Sequence, residues 1–397
     1  EMQNIRNAKA NKIQKLRIDT ISKYLRVSSN KISFFDHHDC HAYYGYYTNV
    51  FKNKNQNIVT CDAGGDGKYA SIINVKNYKF KKILRSNKNL IGVIYRNITL
   101  MLNMNPSRHI YKVMGLAPYT SPKYYQQILS FLNRSLKLNN LDFKINKEMK
   151  DRFFYFKKYL ATERFDNVAG ATQQFCEDAL MSWFKNIYKK TKCKSFVFSG
   201  GVANNVKANL SLSELSFIKN LWIPPGPGDE SLSIGATYNY IKNKIGERKA
   251  YKFIEVPKDA YWGPNINSKQ IEEFSNNKLI KKYYKKSIDK SFTKVAKSIS
   301  KGNVVFLCLS SQEFGQRALG HRSIVCDPSN PEAVTKINST IKMRDFWMPF
   351  TPSILDTDID RYCKKNSKID KSLMTICLNS TELGRKHLKA AMHPYDF

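Results

Sequence analysis

Residues 169–201 read AGATQQFCEDALMSWFKNIYKKTKCKSFVFSGG. Within 169–190, Ala171, Phe175, Ala179, Leu180 and Trp183 fall on one face at helical spacing. SFVFSGG then reads as an apolar strand that breaks at paired glycines, and a further helix follows. Helix, strand and helix in alternation predict an α/β fold. Upstream, NIVTCDAGGDGKYASIINV at 57–75 is an apolar strand that breaks at Gly64 and Gly65 and resumes, which predicts a hairpin. The first 35 residues predict a basic helix and a short strand, and the polar HHDCHAYYGYY follows at 37–47. Downstream, EVPKDAYWGPN at 255–265 carries proline and glycine without helical period and marks a boundary, giving units of 1–262 and 263–397. The second unit is expected to hold a lysine-rich helix, a strand at 303–309 (NVVFLCL), an arginine-rich segment and MRDFWMPFTPSIL.

Composition narrows the function classes. The chain has 397 residues, 42% of them hydrophobic, enough to fill two or three domain cores. No stretch approaches the roughly 18 apolar residues of a membrane span, and the first residues lack a signal peptide's apolar run, so a soluble cytoplasmic protein is expected, with no membrane partner. Sixty-six Lys and Arg against 32 Asp and Glu give a formal charge of +34, attractive to phosphates. The lysines are spread evenly through the chain and no aromatic platform accompanies them, so nucleic acid is not expected as a partner. The eight cysteines form no CxxC pair, which argues against a disulfide framework or a cysteine-built zinc site.

Three constellations carry chemistry. His37 and His41 are four residues apart, so on a helix they project from one face and can hold one metal ion. Asp62 ends an apolar strand and Asp229 follows the turn PPGPG; imidazoles and carboxylates together suit Fe(II) or Zn(II), but bringing these four residues to one ion requires a fold that the spacing does not supply. His38 and Asp39 lie beside this set. The glycine turns DAGGDG (62–67) and SGGVANN (199–205) each follow a strand, and glycine lets backbone amides approach a phosphate. Lastly, Arg317, Arg322, Lys342 and Arg344 fall inside about thirty residues, amid glycines and aromatics, a set of donors suited to phosphate or carbamate oxygens.

In order along the chain, HHDCHA, TCDAGGDG, KVMGLAPY (112–119), FSGGVANNVKAN, PPGPGDESLSIGA, FGQRALGHRSIVCDP and INSTIKMRDFWMPFTPSIL resemble the motifs of the NodU/CmcH carbamoyltransferase family. KVMGLAPY and RALGHRSI are the specific ones. The resemblance implies an actin and sugar-kinase-like (ASKHA, TsaD-like) duplicated α/β domain at 1–262 and a partial YrdC-like α+β domain at 263–397. It implies that His37, His41, Asp62 and Asp229 hold Fe(II) or another divalent transition metal. Gly64, Gly65, Gly200, Gly201 and Asn205 would line the nucleotide, with Lys342 and Arg344 also binding it, and Arg317 and Arg322 would act in catalysis. The implied reaction is O-carbamoyl transfer from carbamoyl phosphate, with ATP and Mg, through carbamoyladenylate onto a hydroxyl of a sugar or secondary metabolite. His38 or Asp39 would take the hydroxyl proton.

Departures from the family pattern are Gln316 in place of proline and Met348 in place of an arginine before PF, which removes one expected anion contact. The family's first strands and its HxDGTxRxQ and NTSFN stretches have no counterpart, so the chain is expected to be truncated at both ends. Two alternatives stand beside this reading. A TsaD-type tRNA threonylcarbamoyladenosine transferase shares the histidine pair but lacks RALGxRSI. A degenerate, noncatalytic nucleotide-binding protein would not need all four candidate ligands. The acceptor and the oligomeric state are not legible in these residues.

Overall fold

The computed structural model describes residues 2–51, 53–284 and 291–396, with residues 2–11 described by their backbone. Helix α1 (Met2–Leu25) leads to α2 (His37–Tyr47), and the hairpin strands β1 (Gln56–Gly65), β2 (Lys68–Lys76) and β3 (Lys79–Ser86) follow. Next come α3 (Ile91–Met101), α4 (Ile110–Leu116), α5 (Pro122–Ser135), the two-stranded pair β4 (Leu136–Asn139) and β5 (Asp142–Ile145), and α6 (Arg152–Leu160). The helix α7 (Phe165–Thr191) feeds β6 (Ser195–Ser199), then α8 (Val206–Ser213), β7 (Asn220–Trp222) and α9 (Leu232–Ile245). The short strands β8 (Val305–Phe306) and β9 (Ile324–Val325) lie in the last third. Among the described residues no helix is long and apolar enough to cross a membrane.

The central sheet has the order β3-β2-β1-β6-β7. β1, β2 and β3 pair antiparallel, while β1–β6 and β6–β7 pair parallel. β1 lies in the middle and its residues 56–62 are buried on both faces, the apolar Ile58, Val59 and Cys61 alongside the buried polar Gln56, Asn57, Thr60 and Asp62. Successive side chains point to opposite faces. Ile58, Ile73, Val75, Val197 and Trp222 pack with Ala42, Tyr43, Tyr46 and Tyr47 of α2. On the other face Val59, Cys61, Ile72, Phe196 and Phe198 pack with Ile94 and Ile98 of α3 and with Phe175, Trp183, Phe184 and Ile187 of α7. At about 1.5–3 kcal/mol for each large side chain buried, this two-sided core is the main stabilising term.

The predicted hairpin at 57–75 and the helix over 169–190 are both present. Other expectations need correction. Residues 26–36 form a short 3₁₀ turn and no strand. The strand expected at 303–309 shrinks to Val305–Phe306, whose ladder partner among the described residues is the two-residue β9. The first unit carries the five-stranded sheet and the two-stranded pair β4-β5. Past residue 262 the buried hydrophobic side chains among the described residues are Ala333, Ile337, Met348, Ile369, Leu388 and Ala390. Residues 366–378 return to the first unit. Leu221 N–H donates to Lys368 O (2.8 Å), Asn209 Nδ2 donates to Thr375 O (2.7 Å), and Ile369 enters the main core.

Candidate functional site

The N-terminus of α2 is fixed from two sides. Asp36 caps it by accepting Asp39 N–H (3.0 Å), and Asp66, at the hairpin tip with φ +49°, accepts His37 N–H (2.8 Å). Gly65 lies flat against the His37 imidazole, and a Cβ at that position would stand 2.1 Å from the ring. On the other side, Gly200 N–H and Ser199 Oγ both donate to Pro227 O (2.8 and 3.3 Å), and the Tyr44 hydroxyl donates to Pro225 O. This clamps the PPGPG turn and sets where Asp229 begins.

The result is a convergence of four side chains from three segments. His41 Nε2 lies 3.1 Å from His37 Nε2, 3.4 Å from Asp62 Oδ2 and 3.4 Å from Asp229 Oδ1; His37 Nε2 is also 3.4 Å from Asp229 Oδ1. All four ligand atoms fall within 4.8 Å of one another. His41 is fully buried while Asp229 is exposed, so the cluster opens to solvent on the Asp229 side. Burial alone would raise the Asp62 pKa, but His41 and the N–H groups of Gly201 (2.6 Å) and Ala63 (2.5 Å) hold it down to about 2. Burial lowers the His41 pKa, and the two carboxylates outweigh it and raise it.

These residues fit a divalent ion. Bonds of 2.0–2.2 Å to a four-ligand ion separate neighbouring ligand atoms by roughly 3.3–3.6 Å, and three of the spacings are 3.4 Å. Two imidazole nitrogens facing each other beside two carboxylates otherwise need a shared proton to avoid repulsion. The second glycine turn borders the same place: Gly201 donates to Asp62, and Gly200, at φ +92°, lies against Cys61 O. Gly64 packs on Tyr69. Asn205 is turned away; its side chain caps α8 through Ala208 N–H (3.0 Å) and pairs with Gln173 (2.9 Å).

The residues expected to take a proton are engaged elsewhere. Asp39 ion-pairs with Lys82 (2.6 Å) and Arg85 (2.8 Å) on β3, because its side chain leaves α2 toward the sheet rather than toward His41. His38 is buried beneath β1 with Nδ1 2.8 Å from Thr60 Oγ1, and burial lowers its pKa.

Of the four cations expected to face one place, the structure brings three together. The Arg317 guanidinium lies 4.7 Å over the Tyr111 ring, and that of Arg344 lies 4.7 Å over Phe350. Burial and the charges of Arg344 and Arg317 lower the Lys342 pKa, and burial and Arg317 lower that of Arg344. The neighbouring Asp345 neutralises Lys112 (2.7 Å) instead. Arg322 is not part of this group. Its guanidinium donates to the carbonyls of Leu309, Ser310 (3.0 Å) and His321 (3.3 Å) and ties down its own loop.

Residues 4–238 match the family described as carbamoyltransferase N-terminus, and residues 296–397 match carbamoyltransferase C-terminus. The chain belongs to the carbamoyltransferase family. Within it, the chain is 30% identical over 391 residues to an uncharacterized protein of Methanocaldococcus jannaschii, covering 93% of this chain and 63% of that one. It is 26% identical over 376 residues to nodulation protein NolNO of Sinorhizobium fredii (92% and 54%), and 26% over 334 residues to nodulation protein NolO of Bradyrhizobium diazoefficiens (82% and 59%). This carbamoyltransferase-family chain thus spans 54–63% of the length of these relatives. A solved structure of full-length HypF in its phosphate- and nucleotide-bound form covers 60% of the chain with a TM-score of 0.34 and 14% identity, too remote a likeness to bear on the fold.

Asp66 and Tyr111 are the site neighbours that sequence reasoning passed over. Asp66 had a signal, its place in the DAGGDG turn, whereas Tyr111 gains meaning only through Arg317, some two hundred residues away. Replacing Asp66 with alanine is expected to weaken transition-metal binding about tenfold, since groups that orient ligands carry effects of that size. Titration calorimetry with Zn(II) on both proteins reads this directly, and equal affinities would remove Asp66 from the site.

Proposed function

We propose that this chain carries the O-carbamoyl-transfer machinery of its family, using ATP and carbamoyl phosphate and acting on a hydroxyl of a small molecule. The convergence of His37, His41, Asp62 and Asp229 is the observation that carries the reading. The sheet order β3-β2-β1-β6-β7, with an antiparallel meander continued by parallel strands, supports a lobe of the actin and sugar-kinase type for the first unit. The match of 296–397 to the family's C-terminus supports a YrdC-like second unit and weighs against the tRNA-modifying alternative.

In this reading Arg317, Lys342 and Arg344 bind the phosphates of the two substrates, with Mg as their counterion. Water cleaves carbamoyl phosphate to carbamate and phosphate, and a carbamate oxygen then attacks the α-phosphorus of ATP, forming carbamoyladenylate as the bond to pyrophosphate breaks. The acceptor oxygen then attacks the carbamoyl carbon, the bond to AMP breaks with its electron pair leaving on the AMP phosphate, and the hydroxyl proton passes to water. His37, His41, Asp62 and Asp229 would hold a divalent ion such as Fe(II), which would supply Lewis-acid polarisation of the carbonyl. Asp62, ionised throughout the physiological range, orients His41, and Gly201 N–H fixes Asp62 in turn. Asp229, on the open side, is the ligand nearest to an arriving acceptor. Asp39 and His38 are not the proton acceptors in this scheme, because the one is ion-paired and the other buried under β1.

The test is an assay on the full chain that follows pyrophosphate release and carbamoylated acceptor separately, with sugars and hydroxylated metabolites as acceptors. Pyrophosphate release that depends on carbamoyl phosphate is expected, and its absence would refute the proposal. Lys342→Ala and Arg344→Ala should each raise the KM for carbamoyl phosphate about tenfold, the scale of one charge-assisted hydrogen bond to phosphate.

A further inference from the structure

A buried carboxylate in the last third of the chain lies outside both sites. Glu313 is 8% exposed, and its Oε1 accepts the N–H groups of Leu319 (2.8 Å), His321 (2.6 Å) and Arg322 (3.0 Å). Between them Gly320, at φ +109°, turns its N–H to Ser323 Oγ (2.9 Å). Successive amides that point into one concavity make a donor set of the kind that holds anions, and here the chain fills it with its own carboxylate. Burial favours the neutral acid, but the three amides reverse this and hold the Glu313 pKa below the usual carboxylate range.

This contact closes residues 313–322 into a ring whose middle is Arg317. One side of the ring is anchored where Phe314 N–H donates to Ala260 O (2.7 Å) and the Phe314 ring stacks on Trp262 at 4.8 Å. The other is anchored where Arg322 grips Leu309 and Ser310. Arg317 needs such a frame. It is an exposed side chain on a loop, it faces two like charges, and without restraint both entropy and repulsion would carry it into solvent.

We propose that Glu313 is a positioning residue, locking the 313–322 loop so that Arg317 meets Lys342 and Arg344 as a preorganised site for the phosphate end of the substrate. The proposal rests on the anion-binding reading of that cluster. It assigns Glu313 no contact with substrate. Its effect is to remove the ordering cost that a loose arginine would impose on binding.

The test uses pyrophosphate as the probe, titrated calorimetrically into the wild-type chain, Glu313→Leu and Glu313→Gln, with hydrogen exchange of the loop amides measured on each. Glu313→Leu should bind at least about tenfold more weakly, and the amides of Leu319, His321 and Arg322 should lose protection while those of β1 and α7 keep theirs. Glu313→Gln retains a neutral acceptor of the same shape, so it should bind about threefold more weakly with a partial rise in exchange at the same three amides. Unchanged affinity in Glu313→Leu with those amides exposed would show a purely local structural role and overturn the proposal, leaving the cation cluster intact. A wild-type chain that binds no pyrophosphate would overturn the cluster and the role of Glu313 together. If Glu313→Leu does not fold, Glu313→Gln decides, and wild-type behaviour in both its affinity and its exchange overturns the proposal.

Discussion

Replacing His41 with alanine is expected to abolish carbamoyl transfer while leaving most of the carbamoyl-phosphate-dependent release of pyrophosphate. His41 Nε2 is the atom nearest to all three other ligands, at 3.1–3.4 Å, and its side chain has no exposure through which water could substitute. Removing it leaves Asp62 charged and 7% exposed with only backbone amides for partners. Metal affinity should fall by at least about a hundredfold, the upper end of what even indirect supporting groups achieve. The cations at 317, 342 and 344 belong to other segments and should still support the first step. The measurement is metal content and Zn(II) affinity beside the two-product assay. Equal loss of both products would favour one composite site, and retained transfer would remove the metal from the scheme.

Gly235→Ala is expected to destabilise the fold by about 1–3 kcal/mol, against the usual sign of such a change. On an open helix face, alanine stabilises by up to about 1 kcal/mol relative to glycine. At Gly235, however, α9 crosses α2 so closely that a Cβ would stand 2.0 Å from Cys40 O and 2.9 Å from Cys40 Cα. A backbone carbonyl cannot rotate aside as a side chain can, so the two helices must part. Cys40 precedes His41, and their separation should also shift the imidazole and weaken Zn(II) binding. A lower urea midpoint with an unchanged slope is the expected result. A raised midpoint would mean that the helix crossing is looser than described.

The parts of this structure legible in the sequence are those that leave a periodic signal. The hairpin showed itself because an apolar run broke at two glycines, and the histidine pair because a spacing of four places two rings on one helical face. The α7 stripe was legible for the same reason. Arg322 was not, since an arginine that grips its own carbonyls and one that awaits a phosphate carry the same letter. Asp39 sits beside the histidines in sequence, but its partners Lys82 and Arg85 come from β3, more than forty residues away. The strand expected at 303–309 failed because hydrophobicity shows that a segment can be buried and says nothing about which strand will pair with it.

The return of residues 366–378 to the first unit has a consequence for how that unit can exist alone. β7 is the outermost parallel strand of the sheet, and Leu221 N–H finds its acceptor in Lys368 O rather than in another strand. Lys368 also sends its ammonium to the carbonyls of Ser213 (2.9 Å) and Leu215 (3.1 Å), placing a charge where a neighbouring strand would otherwise dock. Unguarded sheet margins with free amides invite strand addition from other molecules, and an inward lysine is one of the known deterrents. A protein cut at residue 262 should therefore self-associate through β7, and the segment 366–378 serves as the sheet's guard against aggregation.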